Sequence, residues 1–195
     1  MKNKTNVKER ILETATEFIE QYDGDTKRIT ARMIAEKAEV GLGLINYHFG
    51  SKENLITLCV QRIIGKAVAG FKMERQFESD KERLIAWAVY VFDFLFEHPA
   101  ISKISILGDF QSYSPNSNSV NTQKGFMLAL RQDVAGEDKA IFSFILTAAM
   151  QVAFLGSKAV KEHLGYDFTK PADRSAYIEK SVTILFDGSR KEETL

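Results

Sequence analysis

Apolar residues near the start of the chain fall at Val7, Ile11, Leu12, Ala15, Phe18 and Ile19, the spacing of one face of a helix. Asn6 with Glu9 three residues on predicts its start as a capping box, and Tyr22-Asp23-Gly24-Asp25 predicts its end. The pattern then shortens. Thr30 is a good N-cap for a helix with an inner face of Met33, Ile34 and Ala38, and Ala35 is small enough for close packing. A tight break at Glu39-Val40-Gly41 separates it from a third short helix holding Leu44, Ile45 and Phe49. Ser51 opens a fourth, carried on through Leu55, Leu58, Cys59, Ile63 and Ile64. Three such short helices bury little surface alone, so the fourth is needed for them to dock on.

From Phe71 onward the chain becomes rich in Phe, Tyr and long aliphatics. Ser79-Asp80-Lys81-Glu82 is a second capping box. The helix it starts has Asp93 as its only charge between Leu84 and Phe96, which predicts a central helix, apolar almost all round. His98-Pro99 ends it, because a residue before proline avoids the helical region. Further helices are expected over 101–110, 124–131, 139–164 and 171–188. Between them lie a loop at 112–118, Gly136 and a turn at Gly165-Tyr166-Asp167, and the tail SRKEETL is polar. No strand-like alternation and no internal repeat interrupt this, so the class is all-α.

Composition narrows the picture. A chain of 195 residues with 45% hydrophobic and 27% charged residues has the make-up of a globular protein, one core or a small module joined to a larger domain. The single Cys59 excludes an internal disulfide, and no CxxC or Cys/His cluster points to a metal. His48, His98 and His163 fall on different elements, and no catalytic arrangement is legible, so neither an enzyme nor a cofactor site is expected. The first ten residues lack an apolar run, which argues against a signal peptide and for a cytoplasmic setting. Residues 140–157 are uncharged and near the lower length limit of a membrane span. Ser143, Thr147, Gln151, Gly156 and Ser157 argue instead for a helix buried among others or in a dimer interface.

Net charge is zero, so any field for nucleic acid must be local. From Thr26 to Arg62 the six cations Lys27, Arg28, Arg32, Lys37, Lys52 and Arg62 face the three carboxylates Glu36, Glu39 and Glu53. Two short helices about a tight turn within this span form a helix-turn-helix pattern, whose second helix enters a DNA major groove. That accounts for GLGLINYHFGS, residues 41–51, which carries no Asp, Glu, Lys or Arg. Gly41 and Gly43 allow close backbone approach, and Leu42 can meet a thymine methyl. Leu44 can do the same or belong to the core. Asn46 can exchange hydrogen bonds with a base edge, while Tyr47 and His48 can reach phosphate oxygens. Phe49 should face inward. Ser51 and Lys52 place a helix N-terminus and an ammonium beside the backbone, and Thr30 and Arg32 flank the same face.

The segments Arg10-Ile11-Leu12-Glu13-Thr14-Ala15, TARMIAEKAEV (30–40) and GLGLINYHFGSKENL (41–55) closely resemble the TetR family of transcriptional regulators over roughly the first 60 residues. The block Ile34, Ala35, Ala38, Val40, Gly43, Tyr47, His48, Phe49, Lys52, Glu53 and Leu55 carries the likeness. The chain departs from the family at Glu39, where glycine is usual, and at Leu42, where relatives are often polar or basic. A non-glycine residue in a left-handed turn costs on the order of 1 kcal/mol. The resemblance implies a helix-turn-helix domain over 1–51 and a helical effector-binding and dimerisation domain over 52–195. It implies a ligand-responsive regulator, a repressor in expectation, that binds double-stranded palindromic operator DNA as a homodimer through its last two long helices. An unknown small-molecule effector would tilt the fourth helix and release the DNA. The competing reading is a helical small-molecule-binding protein or enzyme with no DNA role. Candidate effector contacts are Trp87, Tyr90, Asp93, Phe94, Phe110 and Phe126, with Phe142 in the same aromatic set. Asp93 could pair with a lysine or arginine, lie on a wet edge, or receive a cationic ligand.

Overall fold

A computed structural model describes residues 2–70 and 76–189, with side chains from residue 7 to residue 188 of these. Among the described residues there are ten α-helices, one 3-10 turn and no strand: α1 Lys2–Gln21, the turn Thr26–Arg28, α2 Ala31–Lys37, α3 Leu42–Phe49, α4 Lys52–Gly70, α5 Asp80–Glu97, α6 Pro99–Gln111, α7 Asn118–Ala129, α8 Gly136–Leu155, α9 Ser157–Leu164 and α10 Pro171–Ser189. The chain divides into two compact units, 1–72 with 98–105, and 73–97 with 106–195. The first unit therefore runs past residue 51 and includes α4.

The first unit is built on the apolar faces read from sequence. Ile11, Ala15, Ile19, Ile34, Ala38, Ile45, Phe49, Leu55 and Cys59 are buried in one cluster, joined by Ala100 and Ile101 from the start of α6. Burial pushes the Cys59 thiol up, which keeps it protonated. Helix α1 starts at Lys2 rather than near Asn6, whose side chain lies outside the described residues. Its end is a left-handed turn in which the Gly24 N–H donates to the Ile19 carbonyl at 2.9 Å. Gly24 has φ +75°, and a Cβ there would stand 2.8 Å from the Ala100 carbonyl oxygen, so no other residue fits.

In the second unit α5 is central, packing against α10, α7 and α8. Leu84, Ala88 and Phe92 are fully buried with Phe126, Leu146, Phe168, Ile178 and Val182. Half of the expected box at Ser79 forms: Ser79 Oγ accepts from the Glu82 N–H at 3.2 Å, while Glu82 Oε2 reaches one residue further back and accepts from the Glu78 N–H at 3.2 Å. Asp80, in that first turn, is buried. It accepts from the backbone N–H groups of Gln132 and Asp133 at 2.5 and 2.8 Å and pairs with Arg83 at 2.6 Å, while Asp133 accepts from the Asp80 N–H. Desolvation pushes the Asp80 carboxyl up, but the N–H groups of Asp133 and Gln132 and the Arg83 guanidinium outweigh it, and the net shift is downward. A depressed carboxylate contributes stability above its unfolded value near pH 3.9 and loses it as pH falls through the folded value. Asp80→Asn should cost about 2 kcal/mol at neutral pH. The gap to wild type should close below about pH 4 in urea titrations; a gap independent of pH would show that the charge is not what matters.

Two helices differ from expectation. The segment 139–164 is not continuous: α8 stops at Leu155, Gly156 interrupts, and α9 follows. A Cβ at Gly156 would lie 3.1 Å from the Val152 carbonyl oxygen, so the glycine lets the chain pack tightly where it breaks. Helix α7 begins at Asn118, six residues before the expected start at Lys124, because the polar run Asn118-Ser119 is drawn inside by Asp109. Helix α8 is long and apolar enough to cross a membrane by composition. Its face of Phe142, Leu146, Met150 and Phe154 is instead buried in the core of the second unit.

Candidate nucleic-acid interface and effector pocket

The helix-turn-helix comes from local chemistry. Thr30 Oγ1 accepts from the Met33 N–H at 3.2 Å and caps α2. At the other end the Glu39 N–H donates to the Glu36 carbonyl at 3.2 Å and the Val40 N–H to the Ala35 carbonyl at 3.0 Å. These are the two bonds of a Schellman turn, with Glu39 at the left-handed position that glycine normally fills. Its φ is +52°, as the departure from glycine anticipated, and Arg10 donates to its carbonyl at 3.4 Å. Gly41 then caps α3 with an extended backbone, and Gly50 (φ +77°) ends it. Ser51 Oγ accepts from the Asn54 N–H at 3.1 Å and starts α4.

Helix α3 buries Ile45 and Phe49 and presents Leu42, Gly43, Leu44, Asn46 and Tyr47 outward. Leu42 is 47% exposed and Tyr47 69%, so with Leu44 they leave apolar surface exposed on α3. A Cβ built on Gly41 or Gly43 meets nothing within 4 Å, so both glycines border open space. Leu44 is 37% exposed and belongs to the outer face rather than the core. His48 is half-buried, its ring edge-on to Tyr47 and Phe49. Arg32 is exposed and bonds to Glu36 at 3.0 Å.

Lys52 has an internal partner that the sequence did not reveal. Its Nζ donates to the Thr26 carbonyl at 2.9 Å and lies 3.4 Å from Glu53, and most of its side chain is buried. It thereby clips the 3-10 turn to the N-terminus of α4. An ammonium has three donors, so one remains for a phosphate. Lys52→Met should lower stability by about 1 kcal/mol and reduce the salt slope of DNA binding by about 2 per dimer. A stability loss with an unchanged slope would leave Lys52 as a clip alone.

The six effector candidates sit in different surroundings. Phe110 lines an open pocket of about 290 Å³ in the second unit, with Tyr113, Gln123, Phe144, Ala148 and Gln151. Phe126 is fully buried in the core. Trp87, Tyr90 and Phe94 are half-buried and do not line the pocket. The Trp87 indole fills the space left by Gly125 on α7, where a Cβ would stand 3.2 Å away. Asp93 meets Arg174 of α10: the guanidinium Nε donates to Asp93 Oδ1 at 2.5 Å and Nη1 to the Phe168 carbonyl at 3.0 Å. Phe142 packs edge-on to Phe186 in the core. Tyr113, Gln123, Phe144, Ala148 and Gln151 line this pocket and lay outside the candidate set. Gln151 alone had a signal, as an amide inside the uncharged run 140–157.

Residues 11–58 match the family model described as bacterial regulatory proteins, tetR family. This segment is a TetR-family DNA-binding domain. The fold of the TetR-like chain extends beyond it: the crystal structure of a TetR transcriptional regulator from Rhodococcus sp. RHA1 is similar at a TM-score of 0.62, covering 94% of this chain and 97% of that one at 18% identity. No curated protein matches the chain. TetR-family proteins are DNA-binding transcription regulators rather than enzymes, and the matched segment spans α2, α3 and the turn between them.

Proposed function

We propose that this TetR-family protein is a ligand-responsive repressor that binds a palindromic operator as a homodimer and is released by a small molecule held in the second unit. The observation that carries the DNA reading is the outward face of α3, where Leu42, Gly43, Asn46 and Tyr47 are exposed on a well-packed support. Leu42 and Leu44, apolar side chains that a folded domain would otherwise bury, face outward where they could meet thymine methyls, and Asn46 is exposed toward base edges. Tyr47, His48, Thr30, Arg32 and the remaining donor of Lys52 would serve the phosphates.

Dimerisation is supported by α8. Ile141, Ile145, Val152 and Leu155 are exposed at helical spacing along it, and Ile184 of α10 is 59% exposed. A contiguous apolar stripe of this kind marks an interaction surface. A dimer would set two α3 helices about 34–36 Å apart, one turn of DNA. An effector that prefers a different separation would depopulate the DNA-competent state.

The deciding test is a gel shift with DNA fragments from beside the protein's own gene. A specific, salt-sensitive shift with a dimer footprint supports the reading. Failure to shift any such fragment at low salt would favour a helical small-molecule-binding protein with no DNA role.

A further inference from the structure

The pocket beside Phe110 carries one buried polar chain. Asp109 Oδ2 lies 2.7 Å from the Ser119 N–H and 2.6 Å from Ser119 Oγ, and Ser119 Oγ lies 2.7 Å from Gln151 Nε2. Ser119 is fully buried and Gln151 is 8% exposed. A carboxylate only accepts, so the Ser119 hydroxyl must donate its proton to Asp109. The lone pair left on Oγ must then accept from Gln151, which fixes the Gln151 amide with its nitrogen toward Ser119. The second N–H of the Gln151 amide and its carbonyl oxygen remain, and the carbonyl oxygen is the acceptor that Gln151 can offer to the pocket it lines.

The other lining groups fit the same ligand. Phe110, Phe144 and Ala148 are apolar, and Tyr113 Oη and Gln123 Nε2 bond to each other at 2.7 Å. No lining side chain is charged. An anion would find no counter-charge, and Asp109 stands behind Ser119 rather than among the lining groups, so a cation would meet no carboxylate directly. The volume sits near the lower end of the range for small-molecule sites. We infer that the pocket takes a compact, neutral aromatic molecule bearing a hydrogen-bond donor, a phenol or a simple aromatic amide, with Gln151 as the acceptor that selects it and Ser119 and Asp109 as positioning residues. This rests on the reading of the pocket as the effector site.

The test is calorimetry on the full chain with three probes: para-tert-butylphenol, its methyl ether, and para-tert-butylbenzoate. The phenol should bind at least about tenfold tighter than the ether, since the ether leaves a desolvated acceptor unpaired. The benzoate should not bind measurably. Gln151→Met should make phenol and ether equal while still binding the ether. Ser119→Ala keeps Gln151 but frees its amide to turn, so the preference should shrink without loss of ether binding, an effect that simple loosening of the fold would not produce. Ala148→Trp should block both neutral probes. Equal phenol and ether affinity for the wild type, tightest binding of the benzoate, a preference that survives Gln151→Met, or no binding of any probe overturns the inference. The same phenol added to a shifted protein–DNA complex separates the two claims. Selective binding without DNA release keeps the pocket chemistry and removes the effector role.

Discussion

Gly43→Val is expected to lower specific DNA affinity by at least about a hundredfold while the thermal midpoint stays within a few degrees of wild type. The position is at the start of α3 on its outward side, and a Cβ there touches nothing in the protein. The fold therefore has no reason to object. Valine is if anything a better helix residue than glycine, by a few tenths of a kcal/mol. DNA does have a reason: an isopropyl group at the point of closest approach would push α3 out of the groove. Every base edge that α3 then fails to reach costs about 1–3 kcal/mol. Two unread base pairs at about 2 kcal/mol each already exceed a hundredfold. Fluorescence anisotropy with operator, alongside a thermal melt, checks both halves. Normal operator binding by Gly43→Val would mean that α3 meets DNA by another face.

Asp93→Ala should destabilise the protein by about 3 kcal/mol, because it leaves the Arg174 guanidinium buried without its carboxylate. Arg174 is 7% exposed, bonds to the Phe168 carbonyl and has its guanidinium carbon 5.5 Å from the Phe96 ring centroid. It cannot swing to water without opening the aromatic cluster of Phe92, Phe96, Phe168 and Tyr177. Replacing both partners, Asp93→Leu with Arg174→Met, should recover most of the loss, since apolar side chains of similar size remove the unpaired charge. Urea midpoints of the two single variants and the double variant measure this directly. A single variant within about 0.5 kcal/mol of wild type would show that the pair contributes nothing net.

Asp93 also shows where the sequence stopped being legible. Its lone charge on an apolar helix announced that something unusual must meet it, and pairing with an arginine was one of three alternatives. The partner lies 81 residues away on α10, and no local spacing encodes that distance. The same holds for Lys52 and the Thr26 carbonyl, and for Asp80 and the loop at Gln132-Asp133, where a side chain meets backbone whose position only tertiary folding sets. What was legible was local. The caps at Thr30, Ser51 and Ser79 form, the inward faces of α1 to α4 are buried as their periodicity required except at Leu44 and Leu58, which are exposed, and the left-handed strain fell on Glu39. The pocket was the least legible part. Size and aromaticity singled out Trp87 and Phe126, but large apolar side chains fill cores before they line cavities. Gln151, which lines the pocket beside Phe110, stood out in the sequence only as an amide inside an uncharged run.

The uncharged recognition helix has a consequence for how such a protein would find its operator in a cell. Grip on random DNA comes almost wholly from neutralised phosphates. Between Gly41 and Ser51 the chain has no lysine or arginine, Arg32 is engaged by Glu36, and Lys52 is partly committed to the Thr26 carbonyl. Encounters with wrong sequence would therefore be brief, and travel would proceed by short hops through solvent more than by long slides. Fewer molecules would be stored on the chromosome, leaving a larger free pool. A small number of copies would then keep the operator occupied, and a modest amount of effector would be enough to empty it.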